Sequence, residues 1–144
     1  SGITDAIAAL LDLGEITENG LSENDIYIGN IPVTQDDIRQ IQTAKAAVAA
    51  GIEILCGKSE AKPKKLYVAG GFGSSLNPKS AARIGLIPKE LSENCIQLGN
   101  AAAAGAQMML LDKKLMKNPD FTAETVELSG NREFSESFIK HMGF

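Results

Sequence analysis

LYVAGGFGSSLNP, from Leu66 to Pro78, is the stretch whose reading decides the fold. Lys65 to Ala69 is apolar enough for a short strand, and Gly70-Gly-Phe-Gly73 follows it at once. Asn77-Pro78 then supplies a helix start, a side-chain cap followed by a proline in the first turn. A strand that runs through glycines into a capped helix is the βα corner of a parallel sheet, where α/β proteins bind ligands.

Working upstream, Thr34-Gln-Asp-Asp37 is a capping box ahead of a helix over Asp36–Leu55. Its apolar residues Ile38, Ile41, Val48, Ile52 and Leu55 recur at helical spacing, which predicts one buried stripe packed on a face of the sheet. Gly57 stops this helix. Ile26-Tyr-Ile28 reads as another short strand, and Ile3, Ile7, Leu10 and Leu11 mark an opening helix capped by Thr4. Downstream, Cys95-Ile-Gln-Leu98 is a buried strand, followed by Gly99-Asn100 and a helix over Ala101–Leu111 with Met108 and Met109 as core filler. Glu124 to Leu128 reads as extended, and Phe134, Phe138, Ile139 and Met142 belong to a last amphipathic helix. This alternation predicts an α/β domain whose central sheet includes strands near Tyr27, Val68 and Ile96.

Composition narrows the classes. The chain has 144 residues, a single domain's length, with 18 Ala, 14 Gly and no Trp, so aliphatic and small residues must build the core. A net charge of −4 argues against a nucleic-acid partner. No apolar run reaches the roughly 18 residues of a membrane span, and no membrane partner is expected. Cys56 and Cys95 share no CxxC spacing; buried free thiols in a reducing cytoplasm are the expectation. With one His, a zinc site is excluded.

Three places could carry chemistry. Gly70, Gly71, Gly73 and Ser74 leave room for a flat ligand against the backbone, or serve a tight turn that needs positive φ. The segment is neither a GxGxxG nor a P-loop. Gly99 and Asn100 open an Ala/Gly helix suited to close packing, or to a hinge. Gln42 and Lys45 lie one turn apart on the long helix, where a lysine is ordinarily solvated. His141 reads as a surface residue, and no catalytic residues are assigned.

DIRQIQTAKAAVAAGIEIL (Asp37 to Leu55), LYVAGGFGSSLNPKSAARIGLIP (Leu66 to Pro88), QLGNAAAAGAQMMLL (Gln97 to Leu111) and the closing VELSGNREFSESFIKHMGF (Val126 to Phe144) together resemble the C-terminal ATPase domain of reductive activators of corrinoid enzymes. These are iron–sulfur redox proteins of the acetate and sugar kinase, heat-shock chaperone and actin superfamily. The resemblance implies a ribonuclease H-like, actin-like subdomain with a central mixed sheet flanked by helices. It implies that residues 1–144 are one C-terminal subdomain of a longer protein whose N-terminal ferredoxin-like part carries a [2Fe–2S] cluster. Ser1-Gly2 would be the remnant of a phosphate-side loop, or a cloning scar. The implied activity is ATP-driven electron transfer that returns Co(II) corrinoid to Co(I), with ATP and Mg as cofactors and a corrinoid protein or corrinoid-dependent methyltransferase as partner. Gly70 and Gly71 would lie beside adenosine and the α-phosphate, with Gly73 and Ser74 completing the loop. Gln42 and Lys45 would lie near ribose and adenine, Gln42 standing where chaperone ATPases carry an acid. Gly99 and Asn100 would begin a connecting helix between two halves. The alternatives are an activator of another low-potential enzyme such as a dehydratase, and a non-catalytic interaction domain that kept the fold.

Overall fold

Thr34 opens the longest element as the capping box requires. Its hydroxyl accepts from the Asp37 backbone N–H at 3.2 Å, and the Asp37 carboxylate accepts from the Thr34 N–H at 2.8 Å. The Thr34 hydroxyl also donates to the Asp37 carboxylate at 2.6 Å, and this bond, followed by that from the Thr34 N–H, holds the Asp37 carboxyl below its usual range. Helix α2 then runs Gln35–Lys58. In the computed structural model, which describes residues 2–117 and 124–144, the order is α1 (Gly2–Asp12), β1 (Ile26–Ile28), β2 (Ile31–Val33), α2, β3 (Leu66–Ala69), α3 (Gly70–Ser74), α4 (Pro78–Arg83), a 3₁₀ turn (Lys89–Asn94), β4 (Cys95–Gly99), α5 (Ala101–Leu111), α6 (Lys114–Lys117) and α7 (Arg132–Lys140).

The mixed α/β class holds, but the expected single sheet divides. β1 pairs antiparallel with β2, Tyr27 opposite Pro32, while β3 and β4 pair in parallel, Leu66 with Cys95 and Tyr67 with Ile96. Gly29 at φ +62° lets Gly29-Asn30 close a two-residue hairpin. The Tyr27 strand therefore satisfies its backbone with its neighbour and does not join the Val68–Ile96 pair.

The core gathers Ile7, Leu10 and Leu11 of α1, Ile16, Ile26, Ile38, Leu76, and Ala81, Ile84, Leu86 and Ile87 around α4. Asn77 caps α4 by accepting from the Lys79 N–H at 3.0 Å, with Pro78 in the first turn. Arg83 ties α4 to the end of α1 and the loop after it, pairing with Asp12 at 2.6 Å and Glu18 at 3.0 Å. Helix α1 begins at Gly2, so Thr4 lies buried inside it rather than capping it.

The stripe on α2 is only partly the buried face. Ile38 is buried, but Val48 is 48% and Leu55 52% exposed. The face packed inward is Ile38, Gln42, Lys45, Ala46, Ala49 and Ala50. Alanine brings the backbone of a neighbouring segment close, and this flank takes α7. The Phe134 and Phe138 rings of α7 stand 6.3 Å apart. Cys56 and Cys95 are free, as expected, and half-buried rather than buried. Met108 and Met109 are exposed, because α5 buries no residue among those described. Residues 124–128 form no strand, and the segment before them lies outside the described residues.

Candidate functional site

β3 and β4 end side by side, Ala69 paired with Gly99 after a register shift that leaves Leu98 of β4 without an opposite residue. Each strand leaves the sheet through a glycine in the left-handed region, Gly70 at φ +89° and Gly99 at φ +63°. Only glycine adopts that backbone at little cost, so both chains turn sharply at the carboxyl edge. The turn expected of this segment falls on Gly70; Gly71 is free of that constraint. A Cβ on Gly70, Gly71 or Gly99 would meet nothing within 4 Å. Gly73 differs: it is buried, and a Cβ there would come within 2.4 Å of Val68 Cγ1.

The polar groups here are partly committed. The Ser74 hydroxyl donates to the Gly71 carbonyl at 2.9 Å. Asn100 caps α5 by accepting from the Ala103 N–H at 3.0 Å and is exposed. Six of the eight expected site residues thus share one edge: Gly70, Gly71, Gly73, Ser74, Gly99 and Asn100.

Gln42 and Lys45 sit apart from that edge. Gln42 is 1% exposed, packed under Gly20 and accepting from the Arg39 guanidinium at 2.7 Å. Lys45 is not solvated; it is 3% exposed. Its ammonium donates to the Gly143 carbonyl and stands 5.6 Å from the centre of the Phe144 ring. Burial lowers its pKa to about 8, against a weaker opposing pull from Glu18.

The feature that sequence reasoning missed is centred on Glu53. Its carboxylate accepts from Ser137 Oγ at 2.6 Å and from Lys140 Nζ at 2.7 Å, and stands 2.7 Å from His141 Nε2. Ser137, Lys140 and His141 fall on one face of α7, a spacing readable in sequence, but their partner lies more than 80 residues away. His141 is consequently half-buried. These three groups, Lys140 first, pull the Glu53 pKa down to about 2 from 4.5. A carboxyl whose folded pKa is depressed contributes stability above its ordinary value and loses it as pH falls through the folded one. Docking of α7 on α2 is therefore expected to weaken between about pH 4.5 and 2. Hydrogen exchange of α7 amides across that window checks it: Glu53→Gln should flatten the dependence, and an unchanged profile would refute it.

Open clefts lie elsewhere. One of about 750 Å³ joins Gly2 and Ile3 of α1 to the hairpin and to Gln40 and Ile41 of α2. Another of about 710 Å³ lies between α2 and residues 82–91, with Cys56 and His141 in its wall. Among the described residues no group of three His, Cys, Asp or Glu side chains gathers to hold a metal, and no helix is long and apolar enough to cross a membrane.

A family model described as the C-terminal domain of RACo, the ASKHA domain, matches residues 1–144. The corrinoid activation enzyme RamQ of Eubacterium limosum is 29% identical over 181 residues, covering 100% of this chain and 30% of RamQ. A solved reductive activator for corrinoid, iron–sulfur protein superposes with a TM-score of 0.82 at 27% identity, over 98% of this chain and 27% of that one. The chain thus spans under a third of the length of these relatives.

Proposed function

The chain belongs to the family of C-terminal ASKHA domains of RACo, and from that membership we propose that it is the nucleotide-binding end of a longer, cytoplasmic activator that uses ATP to return a Co(II) corrinoid to Co(I). The observation that carries the reading is the open edge at Gly70, Gly71 and Gly99, where two adjacent parallel strands end and no Cβ would meet a neighbour. A ligand approaching that closely contacts backbone N–H and C=O groups, as an adenosine and its α-phosphate can. In this reading Gly70 and Gly71 border the nucleotide, Gly73 and Ser74 fix the turn, and Gly99 and Asn100 start the helix that links two halves. Gln42 and Lys45 are assigned to the ribose and adenine side by the family resemblance alone, since both are enclosed, at 1% and 3% exposed.

ATP supplies the driving force for an electron transfer that is otherwise uphill. A [2Fe–2S] cluster in the longer protein would supply the single electron that takes Co(II) to Co(I). That cluster does not fit this chain: Cys56 and Cys95 are two thiols at separate elements, and four are needed. It belongs, like the Mg ligands, to the remainder of the longer protein. Helix α5 supports such a remainder. It is apolar all round yet leaves Leu110 80% and Leu111 89% exposed, and the neighbouring sheet face bares Tyr67, Ile96 and Leu98.

The test follows Co(I) absorbance after mixing the full-length protein, a low-potential reductant and a Co(II) corrinoid protein or corrinoid-dependent methyltransferase. Co(I) should accumulate only when ATP is present. Equal accumulation without ATP, or reduction confined to a dehydratase-type acceptor, would overturn the proposal.

A further inference from the structure

The β1–β2 hairpin has an apolar face of which only half is used. Residues opposite each other across two strands share a face, and so do alternate residues along one strand. The pairs Ile26–Val33 and Ile28–Ile31 therefore stand on one side and Tyr27 on the other. At the root of the hairpin Ile26 is buried and Val33 packs on the core. At its tip Ile28 and Ile31 remain exposed and line the cleft of about 750 Å³.

That cleft has three aliphatic walls: Ile28 and Ile31 from the hairpin, Ile3 and Ala6 from α1, and Ile41 and Ala44 from α2. The one charged residue lining it is Asp37, whose carboxylate already accepts from the Thr34 N–H and hydroxyl. Along α2 the apolar surface continues from Ala44 to Val48 and Leu55, one helix face that the fold leaves uncovered. Walls of this kind suit the aliphatic side chains of another polypeptide segment, and an exposed apolar patch of this extent marks an interaction site.

Which segment fills it follows from where the chain enters. Gly2, the first residue of α1, is part of the cleft wall. The matched family is a C-terminal domain, and this chain spans under a third of its relatives. In a protein of that length the polypeptide reaches this domain through Gly2, so it arrives at the cleft with no linker to span, and its effective concentration there is high. We propose, on the reading that this chain closes a longer protein, that the cleft seats the polypeptide leading into Gly2 and that the hairpin tip grips it against α1 and α2. The root of the hairpin serves this domain's core and the tip serves the chain before it. A two-stranded hairpin is marginal alone, and filling the seat packs the half of its face that the core does not reach.

The test is hydrogen exchange of the full-length protein, read on the amides of the stretch leading into Gly2. Ile31→Lys places a charge on the cleft side of the tip. Tyr27→Lys places one on the opposite face of the same hairpin and is the matched control, since Ile31 is 68% and Tyr27 61% exposed. Ile31→Lys should speed exchange of those amides about tenfold and leave α4 at its native rates, while Tyr27→Lys changes neither. Native rates in both variants would show that the cleft seats nothing of this chain. Acceleration by both, or one that reaches α4, would show lost stability rather than an emptied seat. A dimer that Ile31→Lys alone turns into a monomer would give the cleft to a second copy. Each of these three overturns the proposal. Co(I) formation followed in the native preparation separates the two readings: accumulation without ATP would overturn the functional one and leave the seat standing.

Discussion

Gly73→Val is expected to lower the stability of the protein by about 3 kcal/mol, read as a fall in the urea midpoint. A Cβ at this buried position would come within 2.4 Å of Val68 Cγ1 and 3.4 Å of the Val68 carbonyl carbon. Val68 packs against the core cluster and pairs with Gln97 across the parallel strands, so neither its side chain nor its backbone can retreat freely. Val68→Ala on the same chain should recover part of the loss, because the clash is pairwise. A midpoint unchanged by Gly73→Val would mean that the turn does not fold back on β3.

The 144-residue chain by itself is expected to hydrolyse ATP at least about a thousandfold more slowly than the full-length protein, since phosphoryl transfer draws on charged and metal-holding groups at the phosphates. The edge at Gly70 and Gly99 offers backbone, a hydroxyl already bonded to Gly71, and an asparagine cap. None of these carries a charge, so the edge supplies neither a carboxylate for Mg nor a base for the attacking water. Comparable turnover by the two proteins, with contaminating ATPase excluded, would show that the chain carries its own phosphate chemistry.

Local signals in the sequence were enough for α2, α5 and the βα corner. The Thr34–Asp37 box, the Asn77-Pro78 start and the helix over Ala101–Leu111 all stand where their residues predict. Periodicity groups residues on a face without saying which face finds a partner. That is why Val48 and Leu55 lie outward while Gln42 and Lys45 lie inward. The same limit applies to α5, none of whose residues is buried among those described. The division into two sheets follows from the Gly29-Asn30 hairpin, a turn signal the sequence does carry. The Glu53 clasp and the burial of Lys45 depend on contacts across more than 80 residues, and no local pattern encodes them. At the candidate site, the glycines were legible as a group. Their separate duties were not: Gly70 turns the chain, Gly73 yields to Val68, and Gly71 does neither.

That last distinction gives the most direct test of the nucleotide assignment. Gly71 has no positive φ and no neighbour within 4 Å of an added Cβ, so nothing inside the chain requires glycine there. ATP affinity and melting temperature should be measured on the same preparation of full-length Gly71→Val. The account predicts binding weakened at least about tenfold, with a melting temperature within about 2 °C of the native protein. Native affinity in the folded variant, whether or not its melting temperature falls, would contradict the assignment of this edge to the nucleotide.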